Sequence, residues 1–156
     1  MCASPENLKQ IKPYLSAQTI GYDKLNQLRP LKFFGDSSAV HPHMMQLAKL
    51  ISRKFELTLN ALSELDGLEI ASWTKPNGGY FVSLDVMDGC AKRVFELMKD
   101  AGVVLTNVGA TFPYGIDPRD RNLRIAPTYP TDAELELACK ILVIAVKIAA
   151  LEKLSK

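Results

Sequence analysis

The longest regular pattern in the chain is a helical one. Met44, Leu47, Ala48, Ile51, Phe55, Leu59, Leu62 and Leu65 keep one face apolar for roughly six turns, and Gly67 follows as a residue suited to end such a helix. Shorter patterns lie on either side. Upstream, Ser4-Pro5-Glu6 reads as a helix start: a hydroxyl cap, a proline in the first turn, and a carboxylate at the positive end of the helix dipole. Leu8, Ile11 and Leu15 share a face behind it, with Pro13 expected to distort the helix or end it early. A second short helix is predicted from Tyr22 through Leu25 and Leu28 to Arg29, with Pro30, Gly35, Asp36 and Ser37 as a separator. Neither piece is apolar enough to build a core, so residues 1–36 read as elements meant to lie against something else.

Downstream the period changes to two. Residues 68–73 alternate as a strand, Pro76-Asn77-Gly78-Gly79 makes a turn, and residues 80–84 alternate again as its hairpin partner. A helix is expected over Ala91, Val94, Phe95, Met98 and Ala101, closed by Gly102. A short β-branched strand follows at 103–106, and a loop rich in Gly, Pro and Asp leads to a strand at Leu123, Arg124, Ile125 and Ala126. Thr131-Asp132-Ala133-Glu134 is a capping box. The helix behind it is apolar from Leu137 to Leu151 over more than one stripe, which predicts burial between the sheet and another element or another subunit. Helix, strand, strand, helix, strand, strand, helix, with hairpin connections dominant, predicts an α+β fold: a mostly antiparallel sheet packed with helices.

Composition narrows the class. A chain of 156 residues, 47% hydrophobic and 23% charged, can bury a sizeable core, and this excludes a disordered segment. A net charge of +2 without any Lys/Arg cluster argues against a nucleic-acid partner. The run around Ile141–Val146 is too short and too interrupted to cross a bilayer, so no membrane association is expected. Cys2, Cys90 and Cys139 share no short spacing, which fits neither a disulfide framework nor a zinc site. No signal-peptide pattern is visible near Met1. These features together predict a cytoplasmic protein.

Few residues offer chemistry. His41 and His43, the two histidines of the chain, flank Pro42, an awkward pair for chelation, and read as helix-entry residues rather than metal ligands. A nucleophile–base pair would require Cys90 or Cys139 to come to them, and no triad can be assembled. Gly78, Gly79, Gly109 and Gly115 form neither a dinucleotide fingerprint nor a Walker loop. Arg124 remains. A guanidinium fixed on a strand beside a glycine-bearing loop is suited to grip a carboxylate through two parallel hydrogen bonds, and it is equally suited to an ordinary ion pair with a neighbouring Asp or Glu.

Several blocks in succession carry a resemblance. Trp73-Thr74-Lys75-Pro76-Asn77-Gly78-Gly79-Tyr80-Phe81 with Val82-Ser83-Leu84-Asp85, then Ala101-Gly102-Val103-Val104-Leu105-Thr106, Gly109-Ala110-Thr111-Phe112-Pro113-Tyr114-Gly115 and Asn122-Leu123-Arg124-Ile125-Ala126-Pro127, resemble the C-terminal region of class I, fold type I pyridoxal-phosphate-dependent aminotransferases. The likeness is to the aspartate aminotransferase-like, MocR-like branch. The preceding helix, Ser4 to Lys9 and Gln18-Thr19-Ile20-Gly21 are similar too, so nearly the whole chain is covered.

The resemblance implies that residues 1–41 are the tail of a large domain and its crossover, and residues 42–156 a small C-terminal domain. It also implies that Arg124 binds the carboxylate of amino acid and 2-oxo acid substrates. Thr19 and Gly21 would lie near the cofactor phosphate of a neighbouring subunit in a homodimer. The Schiff-base lysine and the carboxylate for the pyridine nitrogen would lie upstream of Met1, as would most phosphate ligands. Pyridoxal 5'-phosphate is thus expected in the intact enzyme and not in this chain alone, which should be catalytically silent. The alternative is a free-standing, non-catalytic interaction module that kept the small-domain fold.

Overall fold

The computed structural model describes residues 4–19 and 23–155. The chain divides into two compact units, Met1–Met45 and Gln46–Lys156. In the first, α1 (Pro5–Gln18) is capped by Ser4, whose hydroxyl accepts from the Asn7 amide at 3.3 Å. The helix runs through Pro13 rather than ending early. Its flanks are exposed, so the Lys9 carbonyl that Pro13 leaves unbonded can be hydrated instead. The second helix, α2 (Lys24–Phe34), starts with Asp23 accepting from the Asn26 amide at 2.9 Å. Tyr22, its expected start, lies outside the described residues. Pro30, expected as a separator, sits inside the helix, which stops instead at Gly35 with φ +73°. Neither helix buries a residue.

The long helix α3 (Val40–Leu62) begins three residues before His43 and carries Pro42 in its first turn, where the missing N–H is tolerated. A 3-10 turn, Ser63–Leu65, and Gly67 at φ +77° close it as the sequence predicts. Phe55, Thr58 and Leu62 are its buried residues.

The second unit is an α+β fold built on an antiparallel three-stranded sheet, β1 (Ala71–Trp73), β2 (Val82–Val86) and β3 (Asn122–Ile125), in that order. The first strand is shorter than its alternation suggests because Glu69 takes φ +56°, a left-handed turn that breaks the extended run at 68–70. Residues 103–106 are not a strand. They leave α4 (Ala91–Asp100) with the Val103 amide bonded to the Met98 carbonyl at 2.9 Å, and Val104 is 94% exposed. The β-branched composition is there, but among the described residues no strand is hydrogen-bonded alongside.

The register sorts the sheet into two faces. Val82, Leu84 and Val86 of β2 join Leu123 and Ile125 of β3 in the core with Val94 and Met98 of α4. The last helix, α5 (Asp132–Leu154), starts with the predicted capping box. It contributes Leu142, Val143, Val146 and Ala149 to the same core, and α3 meets it where the Cys139 thiol faces the Thr58 hydroxyl at 3.9 Å. Its opposite side stays apolar yet exposed at Leu137, Ile144 and Leu151, so the wide apolar surface is covered on one side only among the described residues. No described helix is long and apolar enough to cross a membrane.

This two-sidedness gives a direct contrast. Leu142→Ala, at a position 2% exposed, is expected to cost about 2–5 kcal/mol in denaturant unfolding. Leu151→Ala, at 67% exposed, should stay within about 0.5 kcal/mol. Equal costs would mean that the outer side of α5 is covered too.

Candidate functional site

Opposite the core, the sheet presents side chains of the other parity. Ser72, Ser83 and Asp85 alternate with core residues along β1 and β2, and Asn122 and Arg124 do so along β3. Asp85 stands between Ser72 and Asn122, and Ser83 stands opposite Arg124. Phe81, two residues before Ser83, falls on the same side. The site is therefore a consequence of strand period.

Asn122 ties this face together. It is 8% exposed, and its amide is fully used: the Thr111 hydroxyl donates to Oδ1 at 2.6 Å, while Nδ2 donates to Ser83 Oγ at 2.9 Å and Asp85 Oδ1 at 2.7 Å. The second oxygen of Asp85 takes Nη2 of Arg121 at 2.6 Å. The loop before β3 is held by Asp117, whose carboxylate accepts from the backbone amides of Arg121 at 2.7 Å, Asn122 at 2.8 Å and Arg119 at 3.0 Å. Burial pushes this carboxyl up, but the amides aimed at it win and hold it below the usual carboxylate range. Gly109 completes the loop at φ +84°. A Cβ there would overlap the Gly115 carbonyl, so the position admits no side chain without rearrangement.

Arg124 differs from its neighbours. In the second unit Arg53 meets Asp132, Arg93 meets Glu152, Arg119 meets Asp88 and Arg121 meets Asp85. Among the described residues no carboxylate pairs with Arg124. Its guanidinium carbon lies 4.6 Å from the centre of the Phe81 ring, and its Nε is buried without a hydrogen-bond partner. Among the described residues its terminal nitrogens form no hydrogen bond or ion pair, and the residue as a whole is half-buried. The ion-pair reading of this residue is not what the geometry holds.

The other expected residues are placed elsewhere. Thr19 ends α1, exposed, with its amide bonded to the Leu15 carbonyl at 2.9 Å, in a different unit from Arg124. Gly21 lies outside the described residues. His43 sits edge-on to Phe33 and Phe34, at 5.4 and 5.3 Å between ring centres. Burial pushes up the thiols of Cys90 and Cys139, which face the Ala149 carbonyl and the Thr58 hydroxyl. A cavity of about 400 Å³ lies among Met98, Leu105, Ile125, Pro127 and Leu135, and Arg124 does not line it.

Sequence reasoning missed Phe81 as the partner of Arg124, and it missed the roles of Asn122, Asp85 and Asp117. The signal was present in the parity of β2 and β3, since Phe81, Ser83 and Asp85 interrupt an otherwise apolar alternation.

Two tests address the loop. Gly109→Ala should destabilise the chain by at least about 2 kcal/mol in denaturant unfolding, from positive-φ strain plus the clash; an unchanged midpoint would show that the loop can open. For Asp117, a folded-state value below its unfolded one, about 3.9, means a stabilisation present above that pH and lost as pH falls through the folded value. Asp117→Asn should accordingly be less stable than the parent by a constant amount from pH 7 to 5, and the gap should close as pH drops below about 4. A gap that persists unchanged into acid would mean that the charge is not what holds the amides.

Known proteins share this architecture. The family model described as aspartate amino-transferase matches residues 1–156. A protein of Mycolicibacterium smegmatis named as an aminotransferase is 46% identical over 153 residues, which is 97% of this chain and 36% of that protein. Aspartate aminotransferase of Corynebacterium glutamicum is 42% identical over 150 residues, 96% of this chain and 35% of that one. The crystal structure of an aspartate transaminase from Corynebacterium glutamicum superposes with a TM-score of 0.86 at 40% identity, covering 97% of this chain and 36% of the other. The chain spans little more than a third of the length of the curated relatives it matches. With its whole length matched by one family and its fold shared at this identity, the chain belongs to the aspartate aminotransferase family, whose C-terminal region it matches.

Proposed function

We propose that this chain is the C-terminal part of a pyridoxal-phosphate-dependent transaminase, with residues 1–41 the end of a large domain and its crossover and residues 42–156 the small domain. Its contribution is the grip on the substrate carboxylate. The observation that carries this is Arg124, the one arginine of the second unit without a carboxylate among the described residues, with its terminal nitrogens unbonded there. A planar guanidinium in that state can take both oxygens of an amino acid or 2-oxo acid carboxylate through two parallel hydrogen bonds. Arg121, three residues earlier, cannot compete, because Asp85 already holds it.

The family is pyridoxal-phosphate-dependent in general, and the cofactor supplies the electron sink for amino-group transfer. The sheet around Arg124 does not supply the groups that would hold it. β1, β2 and β3 carry no lysine, and Lys54, Lys147 and Lys153 turn to Asp132, Glu64 and the Asp88 carbonyl. Asp85 and Asp117 are committed to Arg121, Asn122 and backbone amides, so neither is available to a pyridine nitrogen. The chain's own part is to bind and orient a carboxylate, with the amine chemistry performed by the rest of the enzyme. Thr19 and Gly21 are assigned to the cofactor phosphate across a homodimer on resemblance alone.

The test is a chimera in which this chain replaces the matching region of the Corynebacterium glutamicum aspartate aminotransferase. Arg124→Ala should lower kcat/KM for L-aspartate about 100- to 1000-fold, the cost of roughly 3–4 kcal/mol for a lost charged pair, with cofactor absorbance unchanged. Arg124→Lys should not restore it. A chimera that binds cofactor but does not transaminate, or an Arg124→Ala form within threefold of its parent, would overturn the assignment and favour an interaction module.

A further inference from the structure

We infer that Phe81 is a positioning residue for the Arg124 grip: its ring fixes the plane of the guanidinium and closes one face of it, so that a carboxylate is taken end-on by the two terminal nitrogens. The inference rests on the carboxylate role proposed for Arg124 and deepens it. Three observations combine. The guanidinium carbon is 4.6 Å from the Phe81 ring centre, within the range where an aromatic face attracts a cation. Nε of Arg124 is buried and has no partner, so the side-on approach, which needs Nε and one terminal nitrogen, is closed to an incoming oxygen. The terminal nitrogens form no bond with a described residue, which leaves the end of the fork as the face for binding.

Phe81 is suited to this by position. It precedes β2 by one residue and shares the parity of Ser83, which is paired with Arg124 across the strands, so ring and guanidinium meet on a diagonal. At 47% exposed the ring has no place in the core, which Val82 and Leu84 fill from the other side of the strand. A polar side chain here could bond Nε and turn the fork; an aliphatic one would fill space without attracting the charge. The ring does neither. It holds a cation without supplying a counter-charge that would neutralise it, and a substrate carboxylate therefore meets an undiminished positive charge in a fixed plane.

Binding of succinate to the full chain, followed by NMR shifts of the Arg124 side chain, separates this role from plain packing. Phe81→Leu should weaken succinate about 3- to 30-fold with an unchanged unfolding midpoint, and Phe81→Tyr should remain within about twofold of the parent. Replacing Phe81 by its mono-, di- and trifluorinated forms should weaken binding step by step at nearly constant volume, because fluorine drains the ring face. Equal binding in the parent and Phe81→Leu, or a flat response across the fluorinated series, would overturn the inference while leaving Arg124 in its role. No Arg124 response to succinate in the parent would remove the carboxylate role and this inference together.

Discussion

A two-residue period shared by β2 and β3 divides the second unit into a core and a site. Val82, Leu84, Leu123 and Ile125 are buried because their neighbours on the strand are not apolar, and Ser83, Asp85, Asn122 and Arg124 share the other face for the same reason. A slip of one residue between the strands would drive a guanidinium and an amide into the core and turn the leucines to solvent, an arrangement costing several buried polar groups at about 1–3 kcal/mol each. Asn122 reinforces the register from the polar side, since its amide bonds Ser83 and Asp85 on the facing strand. The site and the core are specified by one constraint, and neither can be shifted alone.

Arg121 and Arg124 show what the polar face does with charge. A unit pair at about 4 Å attracts by roughly 4 kcal/mol at an effective dielectric near 20. Arg121 has that attraction internally, through Asp85. Arg124 has a ring instead, worth about 0.5–2 kcal/mol, so most of the interaction that a partly buried guanidinium can make is not met by the described residues. Asp85, at the centre of the face, is occupied twice, by Arg121 and by Asn122. With both oxygens so engaged, Asp85 is committed to Arg121 and Asn122, and Arg124 has no carboxylate among the described residues.

Much of this was legible in the chain. The α3 stop at Gly67, the capping box of α5 and the core parity of β2 follow from local chemistry, and local rules read them correctly. The errors share a cause. Residues 103–106 have strand composition but no partner, and composition cannot report whether a neighbouring edge exists. Pro13, expected to distort α1 or end it early, and Pro30, expected among the separating residues, both lie inside helices; in exposed helices the freed carbonyls can turn to water, so the signal is weaker than it is in a core. At Arg124, ion pair and ligand grip have the same sequence pattern, and the absence of a paired carboxylate among the described residues is visible only in three dimensions.

The two units differ in how they could be stable. The second has a continuous core of leucines, valines and alanines to set against the entropy of ordering, about 1–2 kcal/mol per residue for the backbone alone. Among its described residues the first has no such return. Its helices, 14 and 11 residues long, bury nothing, each contains a proline, and helices of that length are marginal in water even with favourable sequences. Tyr14, Leu25 and Phe33 stand exposed on them. Capping by Ser4 and Asp23 selects where these helices begin, at about 1 kcal/mol apiece, but cannot supply the missing burial. Within the described residues α1 and α2 therefore rest on caps and backbone bonds alone, whereas the Arg124 face is held by contacts wholly within the second unit.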